Sequence, residues 1–191
     1  LTPIDKIYSE IPSEFFGWSL SVGQDSLVVG ANEIGSNQAK GAVHLFKIED
    51  NGSLSKTQTI RAPDASPLDE FGFSVTQSGE LLAVGAYKGD SQDLNDTGAV
   101  YLYRIEDNGS ASFLRKFTAP DGKTGDLFGT SLALSGTTLA VGAPQAVVNG
   151  VTNAGAVYLF DVGEIANRLL TNLTPPAPLA IAENQPVGTV V

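Results

Sequence analysis

Repetition constrains this chain more than any other feature. Phe71 to Tyr103, FGFSVTQSGELLAVGAYKGDSQDLNDTGAVYLY, has counterparts opening at Phe16 and Phe128, and in each copy Phe is followed at once by Gly. Each copy carries Gly-Ala fourteen residues after the Phe (Gly30, Gly85, Gly142) and a later Gly-Ala-Val (Gly41, Gly98, Gly155). Between the second and third copies all three landmarks are displaced by 57 residues. Between the first two the step is 55 at Phe-Gly and Gly-Ala but 57 at Gly-Ala-Val, so the length change falls between Ala31 and Gly41 and marks a loop. A period of this size predicts stacked or radial modules, each burying its apolar face on a neighbour.

Within a copy the residues predict four antiparallel strands. Phe-Gly-x-Ser-Leu/Val opens the first, through Trp18-Ser19-Leu20, Phe73-Ser74-Val75 and Thr130-Ser131-Leu132. Turn residues follow at Gly23-Gln24-Asp25, Ser78-Gly79-Glu80 and Ser135-Gly136-Thr137. Next come short apolar runs, Leu27-Val28-Val29, Leu82-Ala83-Val84 and Leu139-Ala140-Val141, which suit a strand covered on both faces. The third strand is read as Gly41 to Ile48, Gly98 to Ile105 and Gly155 to Val162. Its alternation puts Val100 and Leu102 on one face and Tyr101, Tyr103 and Ile105 on the other. Ile-Glu-Asp-Asn-Gly-Ser then recurs at Ile48 and Ile105; Asn-Gly tolerates the positive φ of a tight hairpin, so a fourth strand turns back there.

These landmarks resemble FG-GAP repeats, the propeller blades of integrin α-subunits and of many bacterial surface proteins. The "FG" corresponds to Phe16-Gly17, Phe71-Gly72 and Phe128-Gly129, and the "GAP" to Gly30-Ala31-Asn32, Gly85-Ala86-Tyr87 and Gly142-Ala143-Pro144. The resemblance implies an all-β fold of β-propeller blades: three four-stranded antiparallel repeats forming an incomplete ring, or one completed by other chains. The expected organisation is a repeat region over 1–173, with blades at about 15–70, 71–127 and 128–173 and residues 1–14 as the outer strand of a preceding or shared blade. Ile165 to Leu173 is read as the outer strand of the third blade, although Ala166 to Leu170 also suits a short helix. Thr174 to Leu179 reads as a Pro-rich hinge. The tail, residues 180–191, resembles the start of a cadherin-like domain through Glu183-Asn184, Pro186 and Val187 to Val191.

Composition narrows the partners. Eleven basic residues against 21 acidic ones give a net charge of −10, and the basic residues form no cluster, so nucleic acid and membrane insertion are not expected. Without Cys, thiolate chemistry and disulfides are excluded. Secretion by a bacterium fits a Cys-free surface protein better than secretion by an animal cell. Since Leu1 begins no signal peptide, the segment reads as a piece of something longer.

Five groups of residues bear on chemistry. His44, the sole histidine, occupies the place of Tyr101 and Tyr158 and reads as a ring filling an aromatic column between blades; a general base would also need a nucleophile in a pocket. The resemblance implies calcium in the turn between the first two strands, but Asp25, Glu80 and Thr137 offer at most one carboxylate per turn, too few for a hard cation. Asp90, Asp93, Asn95 and Asp96 form a better candidate calcium site, against the alternative of a solvated acidic loop. Asp64/Asp121 and Asp69/Asp126 recur at both blade boundaries, which favours structural bonding over hydrolysis. Asn51, Asn95, Asn108 and Asn172 open N-x-Ser/Thr patterns, two of them in Asn-Gly turns.

The expectation is therefore a non-catalytic, extracellular or cell-surface module for adhesion, recognition or scaffolding. It would bind a protein or glycan through the connections Asn32 to Lys40, Tyr87 to Thr97 and Pro144 to Ala154, because loops carry function on rigid scaffolds. The alternative is a structural subunit that binds copies of itself, building a homo-oligomer or filament through blade edges and donation of the C-terminal strand.

Overall fold

The computed structural model describes residues 5–33, 40–90 and 95–165. Among these residues eleven strands follow one another in three antiparallel sheets. β1 (Phe16–Val22), β2 (Ser26–Ala31), β3 (Ala42–Ile48) and β4 (Leu54–Ile60) form the first sheet in that order. β5 (Ser74–Ser78), β6 (Leu81–Ala86), β7 (Ala99–Ile105) and β8 (Ala111–Phe117) form the second. β9 (Ser131–Ser135), β10 (Thr138–Ala143) and β11 (Ala156–Asp161) form the third, which has three strands among the described residues. The expected fourth strand there falls almost wholly outside them, as do the hinge and the cadherin-like tail; residues 163–165 adopt a helical turn.

The repeat is reproduced residue for residue in the pairing. Gly30 pairs with Val43, Gly85 with Val100 and Gly142 with Val157, at the same step of each middle hairpin. Both complete sheets carry a register shift in the outer hairpin, between Leu45 and Phe46 and between Leu102 and Tyr103. The third strands begin one residue later than expected. Gly41 and Gly98 sit just outside them with φ of 77° and 87°, a left-handed conformation that disfavours any residue with a Cβ.

The sheets lie face to face through their first strands, β1 against β5 against β9, and among the described residues do not close into a ring. One apolar core fills the first junction, with Val28, Val43, Leu45 and Ile60 facing Val75, Leu82, Val84, Tyr101 and Tyr103. A second fills the next, with Ala83, Val100 and Leu102 facing Leu139, Val141, Tyr158 and Phe160. The expected alternation of β7 is therefore observed, one face given to each core. Hydrogen bonds cross both junctions: Ser19 Oγ donates to the Gly72 carbonyl at 2.7 Å and Ser74 Oγ to the Gly129 carbonyl at 2.6 Å.

Each Phe of Phe-Gly is set edge-on against two rings of its own sheet. Phe71 lies 5.4 Å from Tyr101 and 6.2 Å from Tyr103, centroid to centroid, and Phe128 lies 5.4 Å from Tyr158 and 6.0 Å from Phe160. Phe16 repeats the arrangement at 5.3 Å from His44 and 6.1 Å from Phe46. Residues 5–14, expected as an outer strand of a preceding or shared blade, carry no regular structure, and no strand pairs with them among the described residues. They run irregularly along the first sheet, where the side chains of Ile7, Tyr8 and Ile11 border a cleft with Phe16, His44 and Phe46.

Candidate functional site

The described ends of the first two connections between second and third strands lie beside the Phe-Gly turns, where backbone bonds hold them. Phe71 N–H donates to the Lys40 carbonyl at 3.1 Å and Phe128 N–H to the Thr97 carbonyl at 2.9 Å, so each connection is tied to the entry of the following sheet. The Asn95 and Asp96 carbonyls accept from Gly125 and Leu127 in the same way. Arg61 adds side-chain support to the first connection, pairing with Glu33 at 2.6 Å and donating to the Gly41 carbonyl at 2.8 Å.

An aromatic row runs along this end. Trp18 and Phe73, the variable residues of Phe-Gly-x-Ser, lie 5.5 Å apart across the first junction, and Phe73 lies 4.2 Å from Tyr87 at the start of the second connection. Lys88 stands over the Tyr87 ring at 5.3 Å and bonds the buried Glu70 carboxylate at 2.7 Å. The bond to Glu70 raises the Lys88 pKa, and burial, reinforced by the Glu70 charge, raises that of the Tyr87 hydroxyl. A neutral phenol beside a fixed cation gives an apolar ledge with a polar border, able to receive the flat face of a sugar ring or an apolar side chain. In the third repeat Thr130 and Pro144 take the corresponding places, so the row ends at Tyr87.

Of the candidate calcium ligands, Asp90, Asn95 and Asp96 are exposed at the edge of this end, and Asp93 lies outside the described residues. Asp96 N–H donates to Asp90 Oδ1 at 3.0 Å, closing the loop on itself, and Asp96 has φ 51°. Among the described residues no group of three or more acidic or His side chains converges on one point.

His44 is buried and both its nitrogens are engaged. Nε2 lies 2.7 Å from Glu14 Oε1, and Nδ1 lies 3.0 Å from the Thr59 hydroxyl. Burial lowers its pKa despite the opposing pull of Glu14. A neutral ring with its proton on Nε2 satisfies both partners, Thr59 donating to Nδ1. His44 thus takes the place expected of it beside its Phe, in register with Tyr101 and Tyr158, but on a face of the first sheet bordered by residues 5–14 and not between two sheets.

The repeated carboxylates also bond within the framework. Asp64 accepts from the Tyr101 hydroxyl at 2.7 Å and Asp121 from that of Tyr158 at 2.8 Å. Burial raises the Asp64 pKa, but the bonds from Lys116 and Tyr101 outweigh it and the net shift is downward. Burial and then the Asp121 bond push the Tyr158 hydroxyl up to about 12. Asp69 and Asp126 accept from the backbone N–H of Ser66 and Lys123, each at 2.8 Å, capping the turn before each Phe-Gly. Asn51 and Asn108 hold their own turns through bonds to Ser53 and Ser110 N–H, each at 2.9 Å.

The aromatic row was not read from the sequence as a site. Its signal was present, since the third position of Phe-Gly-x-Ser is a large ring in two copies and Thr130 in the other, whereas the positions around it hold constant.

A family model described as FG-GAP repeat matches residues 12–46, 54–103 and 112–160, the second and third matches each beginning in the fourth strand of the sheet before. A search of curated proteins found no match.

Proposed function

The chain belongs to the FG-GAP repeat family, and from that premise we propose that it is a non-catalytic recognition module of an extracellular or cell-surface protein, binding its ligand at the loop end of the sheets. The observation that carries the reading is the row Trp18, Phe73 and Tyr87, which places rings from two sheets along the end where the variable connections emerge. Rings supply contact area at low entropic cost, and the Lys88–Glu70 pair beside them gives orientation through polar bonds. The ligand is a glycan or a protein side chain that offers a flat apolar face.

The non-catalytic part of the reading is supported by the use already made of the reactive groups: His44 is buried between Glu14 and Thr59, and the recurrent carboxylates bond to tyrosines and turns. No helix among the described residues is long and apolar enough to cross a membrane. Calcium at Asp90, Asp93, Asn95 and Asp96 is a subsidiary part of the proposal, bearing on the loop next to Tyr87 and Lys88. A calorimetric titration with millimolar calcium that gave neither heat nor a thermal shift would remove it.

The binding reading is tested by screening the chain against glycans and surface proteins, then repeating the positive interaction with Tyr87→Ala and Phe73→Ala. Each is expected to weaken binding at least about tenfold, a loss of roughly 1.4 kcal/mol, with the circular dichroism spectrum unchanged. Binding undiminished in both variants would place the ligand elsewhere and overturn the proposal.

A further inference from the structure

Each internal junction is built around one Phe-Gly seated in the sheet before it. In the first, Phe71 bridges Gly41 in parallel, and the Gly72 carbonyl occupies the space that a Cβ on Gly30 would take, held by Ser19. In the second, Phe128 meets Gly98, and the Gly129 carbonyl occupies the corresponding space beside Gly85, held by Ser74. In return, the Ala42 and Ala99 carbonyls press on Gly72 and Gly129.

The third sheet presents the same receiving surface to solvent. Ser131, Gly142 and Gly155 stand where Ser19, Gly30 and Gly41 stand in the first sheet. A Cβ on Gly142 would meet only Ser131 of its own strand pair, and one on Gly155 would come no nearer than 3.3 Å to Pro144. Together with Ala143, Ala156 and Val157 these residues line a groove of about 350 Å³. Beside it, Val157 is 72% exposed and Leu159 71%, whereas their counterparts Val43, Leu45, Val100 and Leu102 are wholly buried by the next sheet.

The opposite face of the first sheet carries the matching half. Gly17 has φ 92°, like Gly72 and Gly129, yet nothing lies within 4 Å of its Cβ position. Leu20 is 62% exposed, whereas its counterpart Val75 is buried against the preceding sheet. Residues 5–14 border the His44 and Phe46 part of this face and leave Gly17 and Leu20 open. They stand in register with residues 60–69, and Ser9 and Glu14 bond one another beside His44 just as Asp64 bonds Tyr101.

We propose that the exposed face of the third sheet receives Phe16-Gly17 and the β1 face of a second copy of this chain, head to tail, by the geometry of the two internal junctions. A second copy is the occupant because the same molecule carries both halves of the contact. Two copies bring six sheets together, within the range of roughly four to eight that closes a radial ring, and a head-to-tail contact ends in a ring when its rotation closes. The contact uses sheet faces, not blade edges or a donated C-terminal strand.

Sedimentation velocity across a concentration series is the test, using the 191-residue chain. The expected species is a dimer of twice 19.9 kDa. Leu159→Asp and Leu20→Asp should each raise the dissociation constant by more than about a hundredfold, because each substitution enters both junctions of the ring. Both residues are exposed, so circular dichroism is expected to stay native and separates loss of contact from loss of fold. Mixing the two variants should restore a heterodimer through the one junction that carries neither substitution. A wild-type monomer at high micromolar concentration, an open-ended polymer, a dimer indifferent to both substitutions, or a mixture that stays monomeric would each overturn the proposal.

Discussion

Replacing Phe71 by Ala removes a wholly buried ring from the first junction, where it lies edge-on to Tyr101 and Tyr103 at 5.4 and 6.2 Å. A buried Phe→Ala substitution costs about 3–5 kcal/mol, from lost transfer energy and the cavity left behind. Edge-on ring pairs supply about 0.5–1.5 kcal/mol each within that loss. The site cannot collapse to relieve it, because the Phe71 backbone is held by Lys40 and packed on Gly41. The expected loss is therefore in the upper half of the range, a large share of the roughly 5–15 kcal/mol that stabilises an ordinary domain. Phe16→Ala removes the equivalent ring where one side is open, and should cost about half as much in the monomer. Urea denaturation at nanomolar concentration, followed by Trp18 fluorescence, measures both. Trp18 is the sole tryptophan and lies against Phe73 across this same junction, so its emission reports the junction directly. A Phe71→Ala loss below about 1 kcal/mol, or equal losses at positions 16 and 71, would refute the reasoning that each Phe-Gly locks one sheet to the sheet before it.

Other perturbations test other parts of the account. Gly30→Ala and Gly85→Ala place a Cβ on the carbonyl of the next sheet and should destabilise by about 1–3 kcal/mol, whereas Gly142→Ala displaces only the movable Ser131 hydroxyl and should cost less than about 1 kcal/mol; thermal midpoints compare the three. Leu68 is held at φ 74°, where the corresponding place in the next repeat holds Gly125 at φ 81°; Leu68→Gly should relieve about 1–2 kcal/mol of left-handed strain against about 0.5–1 kcal/mol of added chain entropy, raising the denaturation midpoint slightly. Burial lowers the His44 pKa below its unfolded value of 6.5, so the unfolded chain binds the proton more readily. Stability should fall as pH drops below about 6.5, and that slope should vanish in His44→Tyr, as measured by denaturation at successive pH values.

What was legible in the sequence was whatever recurs. The strand boundaries, the Asn-Gly hairpins and the two faces of β7 follow from apolar alternation repeated at a fixed step, where each copy corroborates the others. The column of rings was legible too, because His44 could be placed by register with Tyr101 and Tyr158. What the repeat could not disclose were contacts made by residues that differ between copies. Glu14 takes over the bond that Asp64 and Asp121 give to a tyrosine, and Ser9, standing in place of those aspartates, shows no charge to betray it. The Trp18–Phe73–Tyr87 row joins positions from two copies, and its continuity exists only once the sheets are stacked. Residues 5–14 read as a strand because their counterparts lead from one, but a strand requires a paired edge, and the first sheet offers them a face.

The central claim is that three equivalent sheets are locked together by equivalent rings, and nuclear Overhauser contacts in solution test it most directly. The account predicts cross-peaks from the Phe16 ring to His44 and Phe46, from Phe71 to Tyr101 and Tyr103, and from Phe128 to Tyr158 and Phe160, at similar intensity. Cross-peaks linking any of the three Phe rings to a different set of partners, or a solvent-exposed Phe71 or Phe128, would contradict it.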